Sequence, residues 1–91
     1  MKVTKANFDD IAMSGLVGYV TTDYKTLVKK LGKPHYVGGD KTNAEWQILI
    51  DGVAATIYDW KEPKLPKGVY RWHIGGHSQK AVELVNKLVR G

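Results

Sequence analysis

The chain has 91 residues, 43% hydrophobic and 25% charged, with 14 Lys and Arg against 9 Asp and Glu, a formal charge of +5. That length makes one domain, residues 1–91, with a modest core. The charge balance favours an anionic partner: nucleotide, nucleic acid or an acidic protein. The absence of cysteine excludes disulfides, thiolate catalysis and cysteine metal sites.

The opening residues Met1 to Lys5 hold no apolar run of signal-peptide length, and no stretch approaches a membrane span. The expected location is therefore cytoplasmic, with no membrane partner. Phe8, Ile11 and Ala12 fall at helical spacing between a capping Asn7 and Gly15, which predicts a helix over 7–14. Leu16 to Thr22 is rich in β-formers and reads as a first strand. Thr22 or Asp23 then caps a second helix. Tyr24, Leu27, Val28 and Leu31 form its apolar stripe, and Gly32 and Pro34 end it. Residues 33–43 read as a long polar loop of the kind that carries binding groups. Its Gly-Gly-Asp-Lys-Thr piece lacks the ending and spacing of a phosphate loop.

Ala44 to Ile50 and Val53 to Trp60 form a hairpin about Asp51-Gly52. A two-residue turn fixes the register. Ile50 then faces Val53, Ile48 faces Ala55 and Trp46 faces Ile57, making one apolar face. The other face carries Glu45 opposite Tyr58, Gln47 opposite Thr56 and Leu49 opposite Ala54, with Trp60 on the same side. Residues 61–68 are a proline-containing loop, and Val69 to Ile74 is the last strand. Tyr70, Trp72 and Ile74 go to the core, so Arg71 and His73 join the polar face. A final helix from Ser78 to Arg90 presents Ala81, Leu84, Val85 and Leu88 on one side. The expected class is α+β: an antiparallel sheet of about four strands with helices on one face.

Two places could hold a ligand. The polar sheet face combines Tyr58, Trp60, Arg71 and His73, which suits base stacking and charge-assisted phosphate contacts. Lys41 and Thr42 could close it from the long loop. A solvated sheet face and a dimer interface are the other readings of the same residues. Gly75-Gly76 reads as a turn into the last helix, with His77 and Ser78 beside it. A helix N-terminus of this kind can seat an anion, or the glycines only turn the chain and Ser78 only caps. The three histidines have neither cysteine nor an H-x-x-x-H pair, so no metal is expected. Ser78 beside His77 lacks a nucleophile elbow. Glu45 and Asp59 fall on opposite sides of the hairpin. His73 with Glu45 near it leaves a general-base reading open; the reading taken is non-enzymatic, without a cofactor.

Four blocks then stand out. Gly18-Tyr19-Val20 with Thr22, Tyr24, Leu27-Val28, Leu31-Gly32 and Pro34 is one, and Lys41-Thr42 with Ala44-Glu45-Trp46 is the second. Thr56-Ile57-Tyr58-Asp59-Trp60-Lys61 is the third. Trp72-His73-Ile74-Gly75-Gly76 followed by Ala81-Val82-Glu83-Leu84-Val85 is the fourth. Together they resemble a family of small proteins encoded by tailed bacteriophages. The resemblance implies a counter-defence protein, of the kind that sequesters a cyclic di- or trinucleotide signal and silences CBASS immunity without cleaving it. Such sponges are homo-oligomeric. Two alternatives are an inhibitor of a host nucleic-acid-handling or CRISPR-type defence complex, and a small nucleic-acid-binding protein.

Overall fold

A computed structural model describes residues 1–91. The elements in chain order are β1 (Val3–Lys5), α1 (Phe8–Ile11), β2 (Gly15–Thr22), α2 (Tyr24–Leu31), β3 (Tyr36–Val37), β4 (Ala44–Ile50), β5 (Val53–Tyr58), β6 (Tyr70–Gly76) and α3 (Gln79–Arg90). The class is α+β, with one antiparallel sheet of six strands in the order β1-β4-β5-β6-β2, and β3 beside β1 on the outer edge of β4. No helix is long and apolar enough to cross a membrane.

The central hairpin has the register written from its turn: Glu45 opposite Tyr58, Trp46 opposite Ile57 and Ile50 opposite Val53. Asp51 and Gly52 both have positive φ, +50° and +83°, as a type I′ turn requires. Strict alternation in β4 buries Ala44, Trp46, Ile48 and Ile50 on one face. Ile57, Trp72, Ile74 and Val20 extend that face, and α2 and α3 cover it with Leu27, Ala81 and Val85.

Two tryptophans tie α2 to this sheet. Trp46 and Trp72 pack edge to face, centroids 5.7 Å apart. The Trp72 indole N–H donates to the Thr22 carbonyl at one end of α2 and the Trp46 indole N–H to the Gly32 carbonyl at the other. Buried indoles need such partners, and here the partners are the two ends of a helix. Asp23 caps its start by accepting from the Thr26 N–H. Along β2, α3 makes a similar pair of contacts: Gln79 donates to the Val17 carbonyl and Asn86 to the Tyr19 carbonyl. Gly18 leaves the room α3 needs, since a Cβ there would lie 2.7 Å from Val82.

Several expectations need correction. The sheet has six strands, not about four, because β1 and β3 are strands of three and two residues with no periodicity to read. The first helix is a single turn, Phe8–Ile11, closed by an Asn7–Asp10 capping box, and Phe8 points to solvent. Nor do all the helices share one face. β1 leaves and β2 enters at the Ile48–Ala55–Gly76 row, while the β4–β5 hairpin continues beyond that row to its turn. The connecting segment therefore crosses a face of the sheet. α2 and α3 occupy the apolar face, so α1 passes over the polar one, against β5. Thr56, on that face, is accordingly only 6% exposed.

Finally, β5 ends at Tyr58 rather than Trp60, and β6 runs from Tyr70 to Gly76 rather than from Val69 to Ile74. Gly75 and Gly76 are thus buried ladder residues, paired with Thr56 and Ala55 on one side and Leu16 and Gly15 on the other. They are not the turn expected before the last helix. Both positions are crowded: a Cβ on Gly75 would lie 2.3 Å from the Thr56 hydroxyl, and one on Gly76 would lie 2.8 Å from the Ala81 methyl.

Candidate functional site

The polar face holds one transverse row. Tyr36 lies opposite Glu45, Glu45 opposite Tyr58, Tyr58 opposite His73, and His73 opposite Tyr19. Directly opposed residues share a face, so five strands each contribute one side chain to this row. His73 stacks on Tyr58 at 5.4 Å and meets Tyr19 edge-on at 5.1 Å. Trp60, beyond the end of β5, closes on Tyr58 at 6.1 Å and on His73 at 6.4 Å. Trp60 is 39% exposed.

Cations sit on these rings. The Arg71 guanidinium lies 3.7 Å from the Tyr19 centroid. Lys41 and Lys61 approach Trp60 at 5.7 and 5.8 Å, and Lys5 approaches Tyr36 at 5.9 Å. The molecule's one close ion pair joins Lys80 and Glu83 on α3, so none of these four cations is bonded to a carboxylate. Cation–π contact orients them while leaving their charge available.

A buried carboxylate positions the lysines. Asp59, fully buried, accepts from the Asn43 backbone N–H at 2.7 Å, the Asn43 side-chain amide at 2.7 Å and the Ala44 N–H at 3.1 Å. This clamps the 33–43 loop to the end of β5. The Lys61 N–H then donates to the Lys41 carbonyl, and the positive φ of Lys61, +54°, swings the chain around Trp60. Tyr70 completes the corner: its hydroxyl accepts from the Trp60 N–H and donates to Glu62.

Burial is the main cause that holds the His73 imidazole below its ordinary pKa, with the neighbouring Arg71 charge second and Asp59 and Glu62 opposing. Its Nδ1 is buried without a partner, which penalises a charged ring further. The Tyr58 phenol is pushed up by burial and then by Glu45. Neutral rings flanked by free cations can stack planar ligands and bind anionic groups.

Of the residues expected to bind, Tyr58, Trp60, Arg71, His73 and Lys41 come together here. Thr42 is on the clamped loop, with its hydroxyl beside Gly39. Gly75, Gly76, His77 and Ser78 lie at the other end of β6. There the glycine N–H groups belong to buried ladder residues, the His77 imidazole bonds the Asp10 carbonyl, and Ser78 caps α3 by accepting from the Lys80 N–H. Tyr19, Tyr36, Lys5 and Lys61 were missed. Alternation along β2 groups Tyr19 with Thr21, but its facing depends on pairing with β6. No protein-family model, curated protein or solved structure matches the chain.

Proposed function

We propose that this chain binds a nucleotide on the polar sheet face and holds it without transforming it. The observation that carries the reading is the cluster Tyr19–His73–Tyr58–Trp60 with Arg71, Lys41 and Lys61 against its rings and no carboxylate paired to them. A base stacks on Trp60 or Tyr58, and Arg71 with the lysines takes phosphate. Of the acids near the rings, Asp59 is fully buried and holds Asn43 and Ala44, and Glu45 accepts from the Gln47 amide.

The resemblance to phage counter-defence proteins gives the biological use: removal of a nucleotide immune signal from the host cytoplasm, cyclic di- and trinucleotides being the first candidates. A thermal-shift panel of cyclic mono-, di- and trinucleotides and short DNA tests it. A ligand at 100 times its Kd adds about 2.7 kcal/mol to stability. A raised midpoint with ligand recovered intact supports sequestration. Ligand recovered cleaved makes the protein an enzyme. A flat response moves the search to a host protein partner.

A further inference from the structure

The ligand class can be narrowed, on the footing of that nucleotide reading. The rings do not surround a point. They form a line, Tyr36–(Glu45)–Tyr58–His73–Tyr19, one residue per strand across β3, β4, β5, β6 and β2. At strand spacing the line is about 19 Å long. Rings stand at both ends, and Tyr36 is 51% exposed. Cations follow the same line, with Lys5 at the Tyr36 end, Arg71 at the Tyr19 end, and Lys41 and Lys61 along its flank at Trp60. The α1 crossover borders the line on the Thr56 side and Trp60 borders it on the other. The depressions along α3 and beside α2 are lined by none of the row's residues, while Tyr36, Trp60 and Arg71 are exposed and Tyr58, His73 and Tyr19 half-buried, so the row is a shelf rather than an enclosed pocket.

A mononucleotide or compact cyclic dinucleotide gains most from an enclosing pocket, which buries most of a small ligand's surface. An open sheet with rings on neighbouring strands and unpaired cations beside them suits a chain of bases. The bases splay onto the rings while the backbone tracks the charges. We infer that this face takes single-stranded nucleic acid, seating a run of about two or three bases across the strands. Glu45, within the row, has lone pairs beyond its Gln47 bond and can accept from the exocyclic amine of a base.

The test is fluorescence titration of the full chain with deoxycytidine oligomers (mono-, di-, tetra- and octanucleotide) beside a cyclic dinucleotide and a cyclic trinucleotide. Affinity is expected to climb by about 5- to 160-fold for each base that gains a ring, then level off by the tetranucleotide. Its logarithm should fall with log salt by about 0.7 per phosphate neutralised. Tyr36→Ala, on an exposed ring at the end of the row, is expected to lower tetranucleotide affinity by the same factor per lost ring while the melting transition stays intact. Tight binding of the mononucleotide or either cyclic nucleotide with no gain on lengthening would overturn the single-strand inference and leave the nucleotide reading standing. No binding by any of these ligands, in a chain whose melting transition is intact, overturns both.

Discussion

His73 stacks on Tyr58 across the β5–β6 pair, ring centroids 5.4 Å apart and planes inclined by 28°. The stack desolvates the imidazole, and with Arg71 nearby its pKa is lowered. His35 is lowered too, by burial first and then by Lys5. Its Nδ1 accepts the Gln47 N–H, a bond that only the unprotonated nitrogen makes. In both cases the folded pKa lies below the unfolded one. The unfolded chain therefore takes up protons first as pH falls, and stability rises with pH through that interval. Full stability is expected above about pH 6.5, with progressive loss from there down to the folded values. The carboxylate of Asp23, lowered first by its side-chain bond to Thr26, acts in a separate window below its ordinary value. Melting temperatures between about pH 8 and pH 5 check this, and His35→Gln and His73→Gln should each flatten the slope. An unchanged slope in both variants removes the histidines as its cause.

Arg71 is exposed, and its guanidinium carbon lies over the Tyr19 ring. Arg71→Ala should lower the melting temperature by only a few degrees, since exposed cation–π contacts contribute about 0.5–1 kcal/mol. Nucleotide affinity should fall about 10- to 100-fold, the range for one charge-assisted bond. Calorimetry on the folded variant measures it. Unchanged affinity would remove Arg71 from the site.

Asp59 is the clamp of the 33–43 loop. Asp59→Ala strands the Asn43 and Ala44 N–H groups that the carboxylate now satisfies. A loss of about 1–3 kcal/mol is expected, several degrees in melting temperature for a domain of this size. Hydrogen exchange at Asn43, Ala44 and Lys61 should rise in the same variant, because loop and β5 end are released together. Protection retained at Lys61 would show that Lys41 and Trp60 are positioned without the clamp.

Gly75 and Thr56 give a two-residue test of crowding. Gly75→Ala should cost about 1–3 kcal/mol, since its methyl meets the Thr56 hydroxyl. Thr56→Ala removes that hydroxyl, and the double variant should recover part of the loss. A thermodynamic cycle by urea unfolding reads the coupling. Simple additivity would mean that the sheet relaxes around the new methyl.

The hairpin was legible because turn chemistry is local: Asp51-Gly52 dictates type I′ geometry, and that sets every pair from Glu45–Tyr58 to Ile50–Val53. The Asp23 cap and the α2 stripe were legible for the same reason. Gly75-Gly76 was not, because glycine looks alike in a turn and in a crowded strand, and the crowding comes from Thr56 and Ala81, distant in sequence. β1 and β3 gave no signal because each is two or three residues long and is a strand only by pairing with β4. Half of the aromatic row followed from the hairpin and β6. Its ends, Tyr19 and Tyr36, depend on which strands lie beside β6 and β4, and spacing along the chain does not encode that.

β2 is an outermost strand of eight residues with no charge and no proline, the kind of edge on which foreign strands nucleate and amyloid-like stacks grow. The amides of Gln79 and Asn86, two turns apart on α3, already occupy its Val17 and Tyr19 carbonyls. An incoming strand would have to evict both. At the far side of the sheet, β1 and β3 are too short to template an addition. Growth strand by strand is therefore disfavoured at both ends, and contact between copies is left to faces, where Phe8, Met13 and Leu16 expose apolar surface beside one another in the chain. Replacing Gln79 and Asn86 together would convert a guarded edge into a sticky one without touching the core.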